Sequence, residues 1–311
     1  MIKYILILSI IFIFLYFYKR ETFNIYLHEK NSNYIYNKNE QYLKLMNIVN
    51  LRARNMNSVN SYNINDISKY QRVNMDNLLV NIKDSLKDSK LKKLFTKLFF
   101  TDKIIKIALS HHENGFPHTI KNVILFPGSF FMKFNFDRMY LQKTVIHETI
   151  HIIQRYNPEK FVPMIEDMGF IKIDTIKNFD DIYNLNRNNP DGLDINWLWK
   201  NDNKLYLISV QFNSTHPSSL GDVNNKYFII EKHNDKYYYT GQNGLLSHLD
   251  PFMDYFNIYT NNYHPYEIIS EFSENYYLEN LKNNTFNVVE SKGYNVFKKH
   301  IDLILDSDLV F

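Results

Sequence analysis

Thr144-Val145-Ile146-His147-Glu148-Thr149-Ile150-His151-Ile152-Ile153 is the stretch on which the reading of this chain turns. On an α-helix, residues four apart stand one above the other on a single face. His147 and His151 therefore present two imidazoles to one point, and Glu148 neighbours the first of them. The residues around this set are uncharged and mainly β-branched, which predicts a helix buried on every other side. An ordinary helix with two partly buried histidines would keep its apolar residues on one face instead. Two helical histidines at this spacing suit zinc. The ion lowers the pKa of a water, and an adjacent carboxylate takes its proton and returns it to a leaving nitrogen.

Working outward, the helix is expected over Phe136 to Tyr156, with Asp137 capping its start. Upstream, Thr119 to Phe134 reads as strands broken at Pro127-Gly128, and His111-His112-Glu113-Asn114-Gly115 as a solvated polar turn. Asp66 to Ser110 has apolar residues at three- and four-residue steps and reads as helical, as does a shorter stretch near Glu40 to Leu51. Downstream come a short helix at Phe161 to Phe170 and a loop from Asn184 to Trp199. Leu205 to Phe212, Lys226 to Lys232 and Lys236 to Thr240 read as strands, the last two a hairpin turning at His233-Asn234-Asp235. Helices at His264 to Leu281 and Asn295 to Leu305 close the chain. The expected class is α+β, with an active-site helix, a small sheet and C-terminal helices.

Over Thr144 to Ile153 the chain resembles the zincin metallopeptidases. The metzincin extension is absent, because Gln154 and Asn157 stand where its glycine and third histidine would be. The resemblance is therefore to the gluzincins, in which a downstream helix supplies a glutamate ligand and often a second acid four residues later. His264-Pro265-Tyr266-Glu267-Ile268-Ile269-Ser270-Glu271 is similar to that helix. It implies Zn2+ held by His147, His151 and Glu267, Glu148 as general base, and Glu271 orienting a ligand histidine. Glu267, Glu271 and Glu274 share one helix face, so register does not choose the third ligand among them; Glu271 is the alternative to Glu267, with Asp180, Asp181 and Asp194 as further carboxylates. With Pro265 at the first helical position, Glu267 falls at N3, where an acid also favours helix initiation. Tyr263, His264 and Tyr266 are the candidate transition-state donors beside it. The resemblance also implies an edge strand within Phe126 to Phe134, on which an extended peptide would lie. More loosely, HETIHIIQR together with Asn189-Pro190-Asp191 and HPYEIISE looks like uncharacterised metallopeptidase-like proteins of large DNA viruses.

Composition limits the alternatives. With no cysteine among 311 residues, disulfides, thiolate zinc sites and a cysteine nucleophile are excluded. A net charge of +3, spread along the chain, leaves no nucleic-acid footprint. Tyr4 to Tyr18 is apolar or aromatic except for Ser9, with Lys3 before it and Lys19-Arg20 after. As a helix it covers roughly 22 Å, short of a hydrocarbon core about 30 Å thick. Snorkelling lysines and interfacial tyrosines extend its reach. This segment is expected to be an uncleaved single-pass membrane anchor.

The expected organisation is an anchor over 1–22, a polar stalk and helical arm over 23–99, and a zinc-metallopeptidase-like domain over 100–311 with an insertion near 180–250. The expected function is a membrane-anchored, zinc-dependent peptidase acting on protein or peptide. Two alternatives are a non-catalytic membrane or virion protein with a structural zinc site, and a zinc hydrolase of a non-peptide bond.

Overall fold

The computed structural model describes residues 25–27, 45–56, 64–113, 115–191, 197–288 and 290–311. The fold is mixed α and β, built around one buried helix. That helix, α4 in chain order, spans Arg138–Tyr156. Asp137 caps it by accepting the Tyr140 N–H at 2.9 Å, which satisfies one orphan donor of the first turn. Every residue from Thr144 to Gln154 is buried, so the apolar belt in the sequence does surround the histidines. The helix stops at Asn157, whose amide donates to the Ile153 carbonyl at 3.1 Å and to the Val310 carbonyl at 2.9 Å. Pro158 then opens the next helix, α5 at Pro158–Asp167, where its missing N–H costs nothing.

Upstream of α4 lie α1 at Ile48–Ala53, α2 at Lys69–Ser85 and α3 at Lys90–Thr96, the last running into a π-turn at Lys97–Thr101. Ser68 and Gln71 form a capping box on α2. Met75, Leu78, Leu79 and Ile82 of α2 belong to the same core cluster as Val145, Ile146 and Ile150 of α4. The segment read as an arm thus shares one core with α4. Each such fully buried apolar side chain contributes on the order of 1.5–3 kcal/mol.

A small sheet follows, with β1 at Lys106–Leu109, β2 at His118–Ile120 and β3 at Val123–Phe126, in the order β1-β3-β2. Two expectations are corrected here. The helical reading to Ser110 ends early, because Lys106–Leu109 forms a strand that pairs in parallel with Val123–Phe126. Phe126 to Phe134 is not a strand: Pro127 ends the ladder and Gly128–Asn135 winds into a 3-10 helix. Its aromatic spacing explains why, since Phe130 stacks on Phe126 at 4.2 Å and Phe134 on Phe131 at 5.7 Å.

A second sheet of six strands has the order β4-β6-β7-β8-β9-β5. Its strands are β4 Phe170–Lys172, β5 Ile176–Lys177, β6 Trp197–Asn201, β7 Lys204–Phe212, β8 Val223–His233 and β9 Lys236–Leu245. The β8–β9 hairpin closes with Asn234 and Asp235 both at positive φ, the conformation a two-residue turn needs to match strand twist. Trp197 and Trp199 are buried in β6, with Trp199 meeting Phe252 edge to face at 5.0 Å. The short helix α6, Asp180–Leu185, lies between β5 and β6. The chain ends with α7 at Asp250–Phe256, α8 at Pro265–Glu279 and α9 at Lys292–Leu305. In α8, Ile268, Ile269 and Phe272 face the core shared with α4.

The single-pass membrane location expected from the sequence is corrected. Tyr4 to Tyr18 lies outside the described residues, and among the described residues no helix is long and apolar enough to cross a membrane. The 19-residue α4 carries Arg138, Lys143, Glu148 and Arg155, more charge than a lipid-facing helix tolerates.

Candidate metal centre

His147 and His151 sit one turn apart on α4, with ring centroids 4.8 Å apart. Glu267, in the first turn of α8, reaches across to both. Its Oε2 lies 3.3 Å from His147 Nε2 and 3.5 Å from His151 Nε2. The three buried side chains form a group that can bind a metal ion. Ligands at about 2.0–2.1 Å in a tetrahedral shell stand about 3.3 Å from one another, so the spacing fits one ion between them.

The far side of each ring sets its tautomer. His147 Nδ1 is 3.1 Å from Glu274 Oε1, and His151 Nδ1 is 3.0 Å from Gln154 Oε1. Gln154 is oriented in turn by donating its amide to the Tyr266 carbonyl at 3.0 Å. Both acceptors can take an N–H from Nδ1, so that each ring, when neutral, turns its Nε2 lone pair to the centre. Electrostatics follow from this crowding. Burial works against a charge on His147, but hydrogen bonds to Glu267 and Glu274 outweigh it and hold the imidazole well above its ordinary value. Burial likewise opposes the Glu267 charge, yet His151 and His147 hold its carboxyl well below the usual range.

Glu148 is buried beside this group without joining it, and its Oε2 has no hydrogen-bond partner. Burial, and then the nearby Asp191 carboxylate, push its pKa up to about 8. A buried acid left unsatisfied is costly to a fold, and such atoms cluster where chemistry is done.

The third donor is positioned from a distance. Asn189 Nδ2 donates to Glu267 Oε1 at 2.5 Å and also to the Tyr263 hydroxyl. Its own carbonyl accepts the Asp191 N–H at 3.1 Å. With Oε1 engaged by Asn189, Oε2 is the oxygen that faces the histidines. Segment 186–191 is clamped by α1. Asn50 donates to the Asn186 carbonyl and accepts the Asn188 N–H, each at 2.9 Å. Arg54 donates to the Asn188 carbonyl at 2.7 Å and grips Glu113 with two bonds of 2.9 Å.

The candidates named from sequence separate accordingly. Glu271 does not touch a ligand histidine; it accepts from Asn261 at 2.8 Å and Thr260 at 3.3 Å, while Glu274 holds His147. Tyr263 lines the cavity over the centre, whereas His264 caps α8 by accepting the Tyr266 N–H at 3.2 Å. Tyr266 serves through its backbone carbonyl, and its side chain lines a neighbouring cavity. Asp180 lines that second cavity too, Asp181 is exposed, and Asp194 lies outside the described residues. Sequence reasoning missed Asn50, Arg54, Gln154 and the positioning part of Asn189. The one available signal was the Asn189-Pro190-Asp191 turn.

The edge strand beside the centre is β2, and it is already engaged. The Thr119 N–H donates to both Asp191 carboxylate oxygens at 3.2 Å, and Arg155 donates to the Thr119 carbonyl at 3.1 Å. Two residues back, Pro117 has no N–H to offer.

A cavity of about 460 Å³ opens over His147, Glu148, His151 and Glu267. Comparison of the chain with protein-family models, with curated proteins and with solved structures returns no match.

Proposed function

We propose that this chain is a zinc-dependent hydrolase of peptide bonds with a gluzincin-type centre. The observation that carries the reading is the convergence of two Nε2 atoms on Glu267 beside a buried, unpartnered Glu148. A zinc ion held by His147, His151 and Glu267 supplies Lewis-acid polarisation of a carbonyl and acidifies a water.

The chain's own residues do the rest. Glu148, buried with an unpartnered Oε2 in the wall of the cavity over the two histidines and Glu267, is placed to take a proton from the attacking water as a carboxylate and pass it to the amine nitrogen as the C–N bond breaks. Glu274 and Gln154 hold the two rings in register, and Asn189 holds Glu267. The Tyr263 hydroxyl accepts from Asn189 and from Arg187, and so keeps its own proton to give to developing negative charge. Occupation of the β2 edge at Thr119 favours a short substrate over one that adds as a strand.

The test is Glu148→Gln. The variant is expected to keep one equivalent of zinc and lose cleavage of a mixed peptide library read by mass spectrometry. Cleavage at the wild-type rate overturns the assignment of the base. Failure of the wild-type protein to bind zinc overturns the metal reading.

A further inference from the structure

The charged groups lining the cavity are mostly spoken for. Lys143 is paired with Glu274 at 2.7 Å, Glu113 with Arg54, and Asp191 with Arg155. Arg187 is different. It stands half-buried on the cavity wall, its Nη2 donates to the Tyr263 hydroxyl at 3.3 Å, and its guanidinium lies 5.6 Å from the centre of the Tyr263 ring. Among the described residues no carboxylate pairs with it. A guanidinium has five N–H donors in a planar fork matched to a carboxylate, and among the described residues the side chain of Arg187 uses one nitrogen, on the Tyr263 hydroxyl.

Its position is fixed relative to the metal centre. From Arg187 Nη2 a chain of three hydrogen bonds runs through the Tyr263 hydroxyl and Asn189 Nδ2 to Glu267 Oε1. At about 2.9 Å per bond this is no more than roughly 9 Å. Extended peptide advances about 3.3–3.6 Å per residue, so a group one or two residues from the scissile bond reaches the guanidinium. The backbone route for holding substrate is closed at Thr119, which places the demand for affinity on end groups or side chains.

We infer that Arg187 is the substrate's carboxylate anchor, and that the site takes short peptides carrying a carboxylate one or two residues beyond the cleaved bond. This rests on the hydrolase reading above. Asn189 and Tyr263 tie the anchor and the Glu267 ligand into one rigid unit, so that binding a carboxylate sets the distance from the anchored end to the reacting bond. Both a C-terminal carboxylate and an acidic side chain carry the required chemistry.

The experiment measures calorimetric affinity of the zinc-loaded protein for three zinc-directed thiols. These are mercaptoacetyl-leucine, its carboxamide, and mercaptoacetyl-aspartic acid α-amide, in which only the side chain is acidic. At least one acid is expected to bind about tenfold or more tighter than the carboxamide; the leucine acid identifies a C-terminal source and the aspartate a side-chain source. In Arg187→Gln the preference should fall to about unity with zinc stoichiometry unchanged, and Arg187→Lys should keep part of it. Equal affinity for acids and carboxamide in the wild type, or a preference that survives Arg187→Gln, overturns the anchor. A second readout is independent of the metal: the Arg187 Nε–H signal in 15N NMR, titrated with N-acetyl-leucine and with N-acetyl-leucinamide. If zinc and the thiols fail to bind, the hydrolase reading falls, and this titration still decides the anchor. A shift with the acid alone supports it, and no shift with either overturns it.

Discussion

His147 Nδ1 and Glu274 Oε1 lie 3.1 Å apart, seven residues beyond Glu267 on the same helix. One helix therefore supplies both the carboxylate in front of the ring and the carboxylate behind it. Lys143 balances the second at 2.7 Å. Partners of this kind set ligand basicity and orientation, and their loss weakens metal affinity about 10–100-fold. Glu274→Gln should show that loss in competition with a chromophoric chelator, whereas Glu271→Gln, which bonds only Asn261 and Thr260, should stay within about threefold. The reverse ranking would return Glu271 to the role first expected of it.

Asn189 engages Oε1 of Glu267 and leaves Oε2 to the histidines. Asn189→Ala frees the carboxylate to rotate, and zinc affinity should drop roughly tenfold with little change in melting temperature. Asn189→Asp sets a like charge against Glu267 and should weaken it further. Unchanged affinity in both would remove Asn189 from the centre.

Metal uptake should depend on pH with a definite sign. In the metal-free protein burial opposes the His147 proton, but Glu267 and Glu274 hold its pKa well above 6.5. This shift extends the protonated form of the ring to higher pH, and zinc needs the lone pair that a proton on Nε2 would occupy. Affinity must fall as pH falls. The apparent Kd should change about tenfold per pH unit for each proton displaced, measured by chelator competition near pH 6, 7 and 8. Calorimetry in buffers of differing ionisation enthalpy counts the protons directly. A Kd that stays flat across this range would contradict the upward shift of the His147 pKa.

Arg54 and Glu113 form a two-pronged ion pair with side chains 1% and 7% exposed. Removing one member of such a pair strands a buried charge and costs about 3–5 kcal/mol. Arg54→Ala should lose stability on that scale by urea unfolding, and Arg54→Met with Glu113→Leu should recover most of it. Because Arg54 also holds the Asn188 carbonyl, the single variant should lose zinc affinity as well.

Gly293 opens α9 against aromatic rings, where an added Cβ would stand 2.7 Å from Phe256 Cδ1 and 3.3 Å from Phe272 Cζ. Helix propensity favours alanine over glycine by about 1 kcal/mol. Overpacking a core costs about 1–3 kcal/mol. Packing should win, and Gly293→Ala should lower the midpoint of thermal unfolding.

What could be read from the sequence follows physical range. Helix α4, its Asp137 cap and its apolar belt are local, and periodicity with one motif located them. The β8–β9 turn was legible for the same reason. Between Glu271 and Glu274 the sequence could not choose, because steps of four and seven residues both return near the Glu267 face. Which one meets His147 depends on how α8 crosses α4, a property of the packed core. Asn50 and Arg54 were out of reach altogether. They lie in a polar, asparagine-rich stretch and act on residues more than 130 positions away.

That separation has a consequence in time. His151 leaves the ribosome 116 residues ahead of Glu267, and the chain grows at about 5–20 residues per second, a delay of roughly 6 to 23 seconds. During that interval the nascent protein offers two histidines without their carboxylate. The group of three side chains that can bind a metal ion is complete only when α8 docks. A truncated chain ending before Pro265 would be synthesised with both histidines and without Glu267.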